Sequence, residues 1–193
     1  VFRDLLLQRV SAFCQLTANQ LGQLEQHYEL MLRWNKVINL TRIEDEREVI
    51  DRHYAESLFL ASKLPTGSLR IADLGSGAGF PGVPIAVCRP ECSVTLIESH
   101  NRKAVFLKES TRVMANVHVE PKRAEVVVEN FDWVVSRAVN WETLSKVGFR
   151  LAPKLALLGK ISPKLNCEAI PIPWSPEKDL LMFHVKPKLI CST

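Results

Sequence analysis

The 193 residues contain no apolar run near the roughly 20 residues that a membrane-spanning helix needs. No charged-then-apolar leader segment is visible, and a cytoplasmic location is expected. The five cysteines (Cys14, Cys88, Cys92, Cys167 and Cys191) are odd in number and have no C-x-x-C spacing. This argues against a disulfide framework and a zinc site, and predicts reduced thiols in apolar surroundings. His27, His53, His100, His118 and His184 are scattered and form no ligand pair, so no metal is expected. Repeats and low-complexity stretches are also missing. What is plentiful is apolar side chain: 47% of the residues, ample for a core and incompatible with a disordered chain.

The most informative segment is Ile71-Ala72-Asp73-Leu74-Gly75-Ser76-Gly77-Ala78-Gly79-Phe80-Pro81-Gly82. It reads as a buried strand, a turn with glycines at alternate positions, and a helix start. Glycine has no Cβ, so such a turn can bend sharply and approach a ligand closely. Strand–turn–helix units of this kind hold nucleotide-like cofactors at the strand end, although glycine turns also serve tight strand–helix packing. Gly77, Gly79 and Gly82 formally fit the dinucleotide spacing G-x-G-x-x-G, but the strand ends earlier, at Asp73-Leu74. The better description is a carboxylate two residues before a Gly-x-Gly-x-Gly loop. Asp73 would repel a pyrophosphate. It suits S-adenosylmethionine, which has no phosphate and carries a sulfonium and an ammonium. Asp73 is expected to orient its amino-acid end through water or a backbone amide.

About 20 residues on, Val94-Thr95-Leu96-Ile97-Glu98 is a second apolar run ending in an acid. A carboxylate there can accept from both ribose hydroxyls, which is the reading favoured for Glu98. The alternative is an acid favoured by the dipole of the following helix.

Charge is uneven. Residues 1–68 carry 8 basic and 9 acidic side chains, and residues 69–193 carry 17 and 12. The excess in the second part fits either a nucleic-acid partner or a mildly basic surface.

Residues 3–64 read as helical. Thr17-Ala18-Asn19-Gln20 is a capping box, followed by Leu21, Leu24, Tyr28, Met31 and Leu32 at helical spacing. Asn39-Leu40-Thr41 breaks the pattern, and a further helix is predicted from about Glu46 to Leu64. Strands and helices then alternate. Strands are expected at Leu69–Leu74, Val94–Glu98, Val117–Val119, Trp133–Ser136 and Leu155–Gly159. Helices are expected from about Val83, over Arg102–Ala115, and near Glu142–Leu151. Ile170–Trp174 and Leu180–Lys186 read as an antiparallel hairpin. The expectation is a seven-stranded, mostly parallel α/β sheet (69–193) with an antiparallel C-terminal hairpin, preceded by a helical N-terminal extension (1–68) in one compact unit.

Several segments together are far more specific than the glycine loop: Trp34-Asn35-x3-Asn39-Leu40-Thr41, Arg52-His53, Asp73 to Gly82, Glu98-Ser99-x2-Arg102-Lys103-x2-Phe106-Leu107, Arg123-Ala124-Glu125 and Ser136-Arg137-Ala138. In this combination the chain, over about residues 17–160, closely resembles the bacterial ribosomal RNA small subunit methyltransferase G family. The resemblance implies a class I, Rossmann-like S-adenosylmethionine-dependent methyltransferase fold. It implies methyl transfer to N7 of one guanine, guanine 527, in the 530 loop of 16S rRNA, naked or within the small subunit. It also implies that Gly75 and Phe80 line the cofactor pocket, that Gly77 and Gly79 shape it, and that Ala124 and Glu125 border the adenine. Arg137 is implied to reach the cofactor or substrate. Read without the family, Phe80 fits core packing, Glu125 a helix start and Arg137 an ion pair. One departure is Glu56-Ser57, where the family pattern has Asp-Ser after Arg-His.

The missing motifs agree with this chemistry. Exocyclic-amine methyltransferases commonly carry Asn/Asp-Pro-Pro-Tyr after the fourth strand, where this chain reads Val135-Ser136-Arg137-Ala138. Cytosine C5 chemistry needs a cysteine nucleophile, and none follows that strand. Guanine N7 already has a lone pair, so no general base is needed. Catalysis can rest on positioning and electrostatics, with Arg137 as the expected catalytic residue. Arg33, Lys36, Arg42, Arg52, Arg102, Lys103, Lys122, Arg123 and Lys160 are candidate phosphate contacts, and Trp34 and Phe80 candidate stacking residues. For Trp34 the favoured reading is packing of the extension, and for His53 a core position. The expected state is a monomer that does not act on membranes. Two other classes stay open: a methyltransferase of a small molecule or protein, and a non-catalytic RNA-binding assembly factor.

Overall fold

A computed structural model describes residues 1–137, 141–160 and 167–184 of the chain. Ala138, Cys191 and positions 185–186 of the expected last strand lie outside the described residues.

The seven strands are β1 (Arg70–Leu74), β2 (Ser93–Ile97), β3 (Val117–Glu120), β4 (Trp133–Arg137), β5 (Lys154–Gly159), β6 (Glu168–Pro171) and β7 (Asp179–Phe183). They form one sheet in the order β3-β2-β1-β4-β5-β7-β6. β1 to β5 pair in parallel, while β7 runs antiparallel to both β5 and β6. β1 is central, and Leu74 lies level with Ile97 on one side and Ser136 on the other. The carboxyl ends of three adjacent strands therefore meet at one rim. The strand order reverses beside β1, and ligands of open α/β sheets bind at such a reversal.

Each strand divides its side chains between two cores with period two. Ile71, Trp133, Val135, Ala156 and Leu158 face one core. Ala72, Val134, Leu155 and Leu157 face the other. The second core is closed by α7 (Trp141–Leu151) through Leu144, Val147 and Leu151. The first is closed by α5 (Gly82–Cys88), α6 (Asn101–Ser110) and the N-terminal helices. Phe2, Leu6 and Val10 of α1 (Phe2–Val10), and Leu24, Tyr28 and Met31 of α2 (Ala18–Asn35), are buried in that same cluster. At about 1.5–3 kcal/mol for each large side chain buried, the extension is a structural layer of the sheet.

The expected punctuation is present. The Thr17–Gln20 capping box is formed on both sides, with Gln20 Oε1 accepting from Thr17 N at 2.9 Å. After α2 the chain turns because Asn35 Oδ1 accepts from Leu40 N at 2.9 Å and Thr41 N at 3.0 Å. The next helix has three parts: α3 (Glu46–Val49), a π-helical turn (Ile50–Ala55) and α4 (Glu56–Lys63). Periodicity gave no sign of the π turn.

Most boundaries lie within a residue of expectation; the last strand ends at Phe183, and two others differ more. α6 ends at Ser110 and not near Ala115. Thr111 returns its hydroxyl to Leu107 O at 2.7 Å, and tight turns lead from there into β3. The first hairpin strand is Glu168–Pro171 and not Ile170–Trp174. Pro171 and Pro173 cannot donate to a ladder, and Trp174 leaves the sheet to stack on Phe13 of the extension at 5.5 Å.

Candidate active site

The alternate glycines have a backbone reason. Gly75, Gly77 and Gly79 have φ of 71°, 58° and 91°. Residues with a Cβ avoid this half of conformational space. The turn is fastened to β2, where Ile97 O accepts from Gly75 N at 2.9 Å. Glu98 completes the attachment. Its Oε2 accepts from Gly77 N at 2.9 Å, and its Oε1 accepts from His100 N at 2.7 Å, just ahead of α6. Each carboxylate oxygen has a second lone pair. Glu98 can thus hold the turn and still accept from a pair of hydroxyls.

Beside this turn lies an open cleft of about 180 Å³. Leu74, Gly75 and Ile97 form its floor, and Ser99 and residues 122–125 form one wall. Thr143, Leu144 and Val147 of α7 form the other wall. The short 3-10 turn Ala124–Val126 presents Ala124 half-buried and Glu125 exposed. Of the candidate residues, Gly75, Ala124 and Glu125 line this one cleft, with Gly77 and Glu98 on the adjoining turn. The α7 wall was not anticipated. Its only signal in the sequence was the apolar face Leu144–Val147–Leu151, which reads equally well as core. Among the described residues no group of three or more His, Cys, Asp or Glu is placed to hold a metal ion.

Asp73, Phe80 and Arg137 occupy a second, deeper region where the extension meets the sheet rim. Asp73 is fully buried, and its Oδ2 accepts from Gly82 N, the first residue of α5, at 2.9 Å. Burial pushes its carboxyl up to about 7, against the pull of the Gly82 N–H. Its Oδ1 has no hydrogen-bond partner among the described residues. Phe80 is 2% exposed. Its ring stacks on His53 at 4.7 Å and meets Tyr54 edge-on at 5.0 Å. The Arg137 guanidinium sits over that ring, 5.5 Å from its centroid.

Arg137 emerges from the end of β4 and crosses to the extension. Its Nη1 donates to Arg52 O at 2.6 Å and to His53 Nδ1. The carbonyl is offered by the π turn, in which Glu56 N bonds back five residues to Asp51 O. Such turns take carbonyls out of the ordinary helical ladder. Burial and then the neighbouring Arg137 charge push His53 down to about 3, so its ring is neutral. Nδ1 accepts from Arg137, which places the ring proton on Nε2, 2.8 Å from Thr41 Oγ1. Burial lowers the Arg137 guanidinium as well, opposed by Glu56 and Asp73.

The C-terminal hairpin buttresses this junction. Glu56 is fully buried, and Lys178, in the loop between β6 and β7, donates to its two oxygens at 3.3 and 3.1 Å. Arg52 pairs with Glu177 at 3.1 Å, and Trp174 Nε1 donates to Asp51 O at 3.3 Å. Neither the Glu56–Lys178 pair nor the seat of the hairpin on the π turn was read from the sequence, because the partners are 122 positions apart.

Among the candidate RNA contacts, Arg33, Lys36, Arg42, Arg102, Lys122, Arg123 and Lys160 are exposed. Trp34 packs on Phe106 at 5.9 Å and donates to Glu109 at 3.1 Å, which fits its expected packing role. Phe80 faces the interior.

A family profile described as rRNA small subunit methyltransferase G matches residues 20–154. The chain is 38% identical over 169 residues to the ribosomal RNA small subunit methyltransferase G of Xanthomonas campestris pv. campestris (strain B100), covering 82% of this chain and 78% of that protein. It is 40% identical over 144 residues to the protein of the same name from Roseiflexus castenholzii, covering 70% and 62%. Solved structures with the same architecture include a methyltransferase from Pyrococcus furiosus, at TM-score 0.58 and 14% identity, covering 86% of this chain and 98% of that one. Another is M. jannaschii TYW2 in complex with AdoMet, at TM-score 0.51 and 16% identity, covering 66% and 71%. These likenesses show the fold, the class I Rossmann-like methyltransferase fold expected from the sequence. The sequence matches show more: the chain belongs to the rRNA small subunit methyltransferase G family.

Proposed function

We propose that the protein methylates N7 of guanine 527 in the 530 loop of 16S rRNA, using S-adenosylmethionine. The observation that carries the reading is the left-handed glycine turn tied by Gly77 N–H to Glu98 at the mouth of the Ala124–Glu125 cleft. A Cβ on Gly79 would fall 2.6 Å from Val83 Cγ2, and one on Gly82 would fall 2.7 Å from Asp73 Oδ2. Gly79 and Gly82 thus pack against the core with no room for a side chain, which fixes the turn at the edge of the cleft. The donor set suits a nucleoside: a carboxylate with spare lone pairs for ribose, and apolar Ile97 and Leu144 for adenine.

When bound, S-adenosylmethionine supplies an electrophilic methyl group on a sulfonium. The chain's own residues have a positioning task. Glu98 holds the ribose, Gly75 and Gly77 shape the floor, and Ala124 and Glu125 border the base. Asp73 anchors the start of α5 beneath the turn. Arg137, fixed by Arg52 O and neutral His53, holds the guanine or the cofactor carboxylate at the rim. N7 has its lone pair already, so no residue has to remove a proton. Pre-organised charge and exclusion of water then suffice. Lys122 and Arg123 on the cleft wall, with the other exposed arginines and lysines, give binding to phosphates that weakens as salt rises.

The test is methyl transfer from radiolabelled S-adenosylmethionine to naked 16S rRNA, small subunits and total protein, followed by mass-spectrometric mapping of 7-methylguanine. The expected result is one labelled guanine in the 530 loop. For Arg137→Ala a loss of about 100-fold or more in methyl transfer is expected, and calorimetry separates its two roles: cofactor affinity is retained if Arg137 holds the guanine and falls if it holds the cofactor carboxylate. Full transfer by that variant would remove Arg137 from the mechanism. Label in protein or at an exocyclic amine would overturn the acceptor assignment.

A further inference from the structure

Cys14, in the link between α1 and α2, and Cys88, the last residue of α5, bring their sulfur atoms to 3.4 Å. They are 74 positions apart and share no element. Both line an open cavity of about 270 Å³, together with Phe13, Ala61, Arg89 and Glu91. Small solutes can therefore reach the pair. The two sulfurs are not equivalent. Cys14 is 8% exposed, whereas Cys88 is half-buried and precedes Arg89. The Cys14 hydrogen bond, aided by the Arg89 charge, holds the Cys88 thiol below its ordinary value, while Cys14 is pushed up. Burial pushes Cys92 and Cys167 up. Of the four cysteines in the described residues, Cys88 alone is shifted toward the thiolate, and it is the more exposed member of the pair. A second thiol stands within contact distance to resolve the product.

We propose that Cys14 and Cys88 are a peroxide-reactive dithiol that closes into a disulfide and staples the helical extension to α5. The Cys88 thiolate attacks one oxygen of hydrogen peroxide. The S–O bond forms as the O–O bond breaks, sulfur loses two electrons, and the leaving oxygen takes up a proton to depart as water. The Cys14 thiol, losing its proton, then attacks the Cys88 sulfenic sulfur. The S–S bond forms, the S–O bond breaks, and the hydroxide leaves with that proton as a second water. The product strengthens an existing seam, because Gln20 Nε2 already donates to Val87 O at 2.9 Å across the same boundary. The pair lies at the end of α5 remote from the glycine turn and does not depend on the methyl-transfer reading.

The test uses the reduced full chain treated with a few equivalents of hydrogen peroxide. Intact mass should fall by two hydrogens, and peptide mapping should place the bridge between Cys14 and Cys88. Oxidation should raise the unfolding midpoint by about 5–15 °C, reversed by a thiol reductant. In Cys14→Ser the sulfenic acid on Cys88 should persist and be trapped by dimedone. A bridge mapped to any other pair would overturn the proposal. So would wild-type protein that gains oxygen at Cys88 without forming a bridge, whatever the folding of the variant.

Discussion

Gly82→Ala tests whether the turn and the start of α5 are packed as described. Gly82 has no unusual φ, so a backbone argument predicts nothing there. A Cβ would nevertheless strike Leu96 Cδ2 and fall 2.7 Å from Asp73 Oδ2 and 3.0 Å from Asp73 Cβ. Leu96 and Asp73 are both fully buried in the central strands, so neither has space to retreat. Overpacking of this kind costs about 1–3 kcal/mol. If the carboxyl moves aside it gives up its hydrogen bond from Gly82 N–H and is left buried and unsatisfied, for about 1–3 kcal/mol more. Together these give about 2–6 kcal/mol. That corresponds to a midpoint lowered by about 4–24 °C for a chain of this length.

Gly77→Ala is the internal control. Its φ is +58°, but the nearest atom to a new Cβ is Gly75 O at 3.8 Å, so only the left-handed backbone cost of about 1–2 kcal/mol applies. Urea titrations at constant pH, with the slope checked against wild type, measure both variants. The reasoning is refuted if Gly82→Ala lies within about 1 kcal/mol of wild type. It is also refuted if Gly77→Ala proves the more damaging of the two.

Two further predictions concern buried charge. Burial pushes His27 and His53 down to about 4 and about 3, from 6.5, and pushes Asp73 up to about 7, from 3.8. Between about pH 4 and 6.5 the unfolded chain binds up to two more protons at the histidines and the folded chain up to one more at Asp73. Stability should therefore rise with pH across that window, by up to about 1.4 kcal/mol per unit. Asp73→Asn should steepen the rise, and a flat or falling profile in urea titrations would contradict it. Lys178→Met strands the fully buried Glu56 without its cation and should cost about 3–5 kcal/mol, largely recovered in the double variant with Glu56→Gln; a single variant as stable as wild type would show that the pair is not buried.

What was legible in the sequence follows from how local each cause is. Alternate glycines after an apolar strand are forced by φ, a property of single residues, so Gly75, Gly77 and Gly79 could be found unaided. Glu98 was legible because strand spacing carries it to the same rim. The hairpin boundary lies earlier than expected because Pro171 can close the strand but Pro173 cannot extend the ladder, while Glu168 and Ala169 pair despite low β propensity. The π turn was invisible for a different reason. Val49, Ile50, His53, Tyr54, Ser57 and Leu58 satisfy an α-helical stripe as well as a widened one. The widened turn leaves Arg52 O to Arg137, a partner 85 positions away that no local pattern reveals. Glu56 shows the same limit. Its carboxylate was recognised as longer than the family pattern, but Lys178 waits in a loop that only the folded sheet brings near.

These distant contacts explain why the extension is not a dispensable addition to a cofactor-binding sheet. The cleft is built from the rim of β1 and β2, the turn after β3 and α7, all within the sheet and its second core. Arg137 leaves that same rim in the opposite direction. Its guanidinium is held by a carbonyl and an imidazole from the π turn, over a ring from the glycine turn. His53 can hold it only as a neutral acceptor, and Thr41 maintains that state by taking the Nε2 proton in a hydrogen bond. Thr41 is placed in turn by Asn35, which ends α2. A chain of four side chains thus runs from the end of α2 to the last residue of β4. On the mechanism proposed above, the cofactor half of the site belongs to the sheet, whereas the orientation of Arg137 is inherited from the N-terminal helices. The two halves meet at Gly75–Gly82, where one short turn supplies the cleft floor on one side and the Phe80 ring beneath Arg137 on the other.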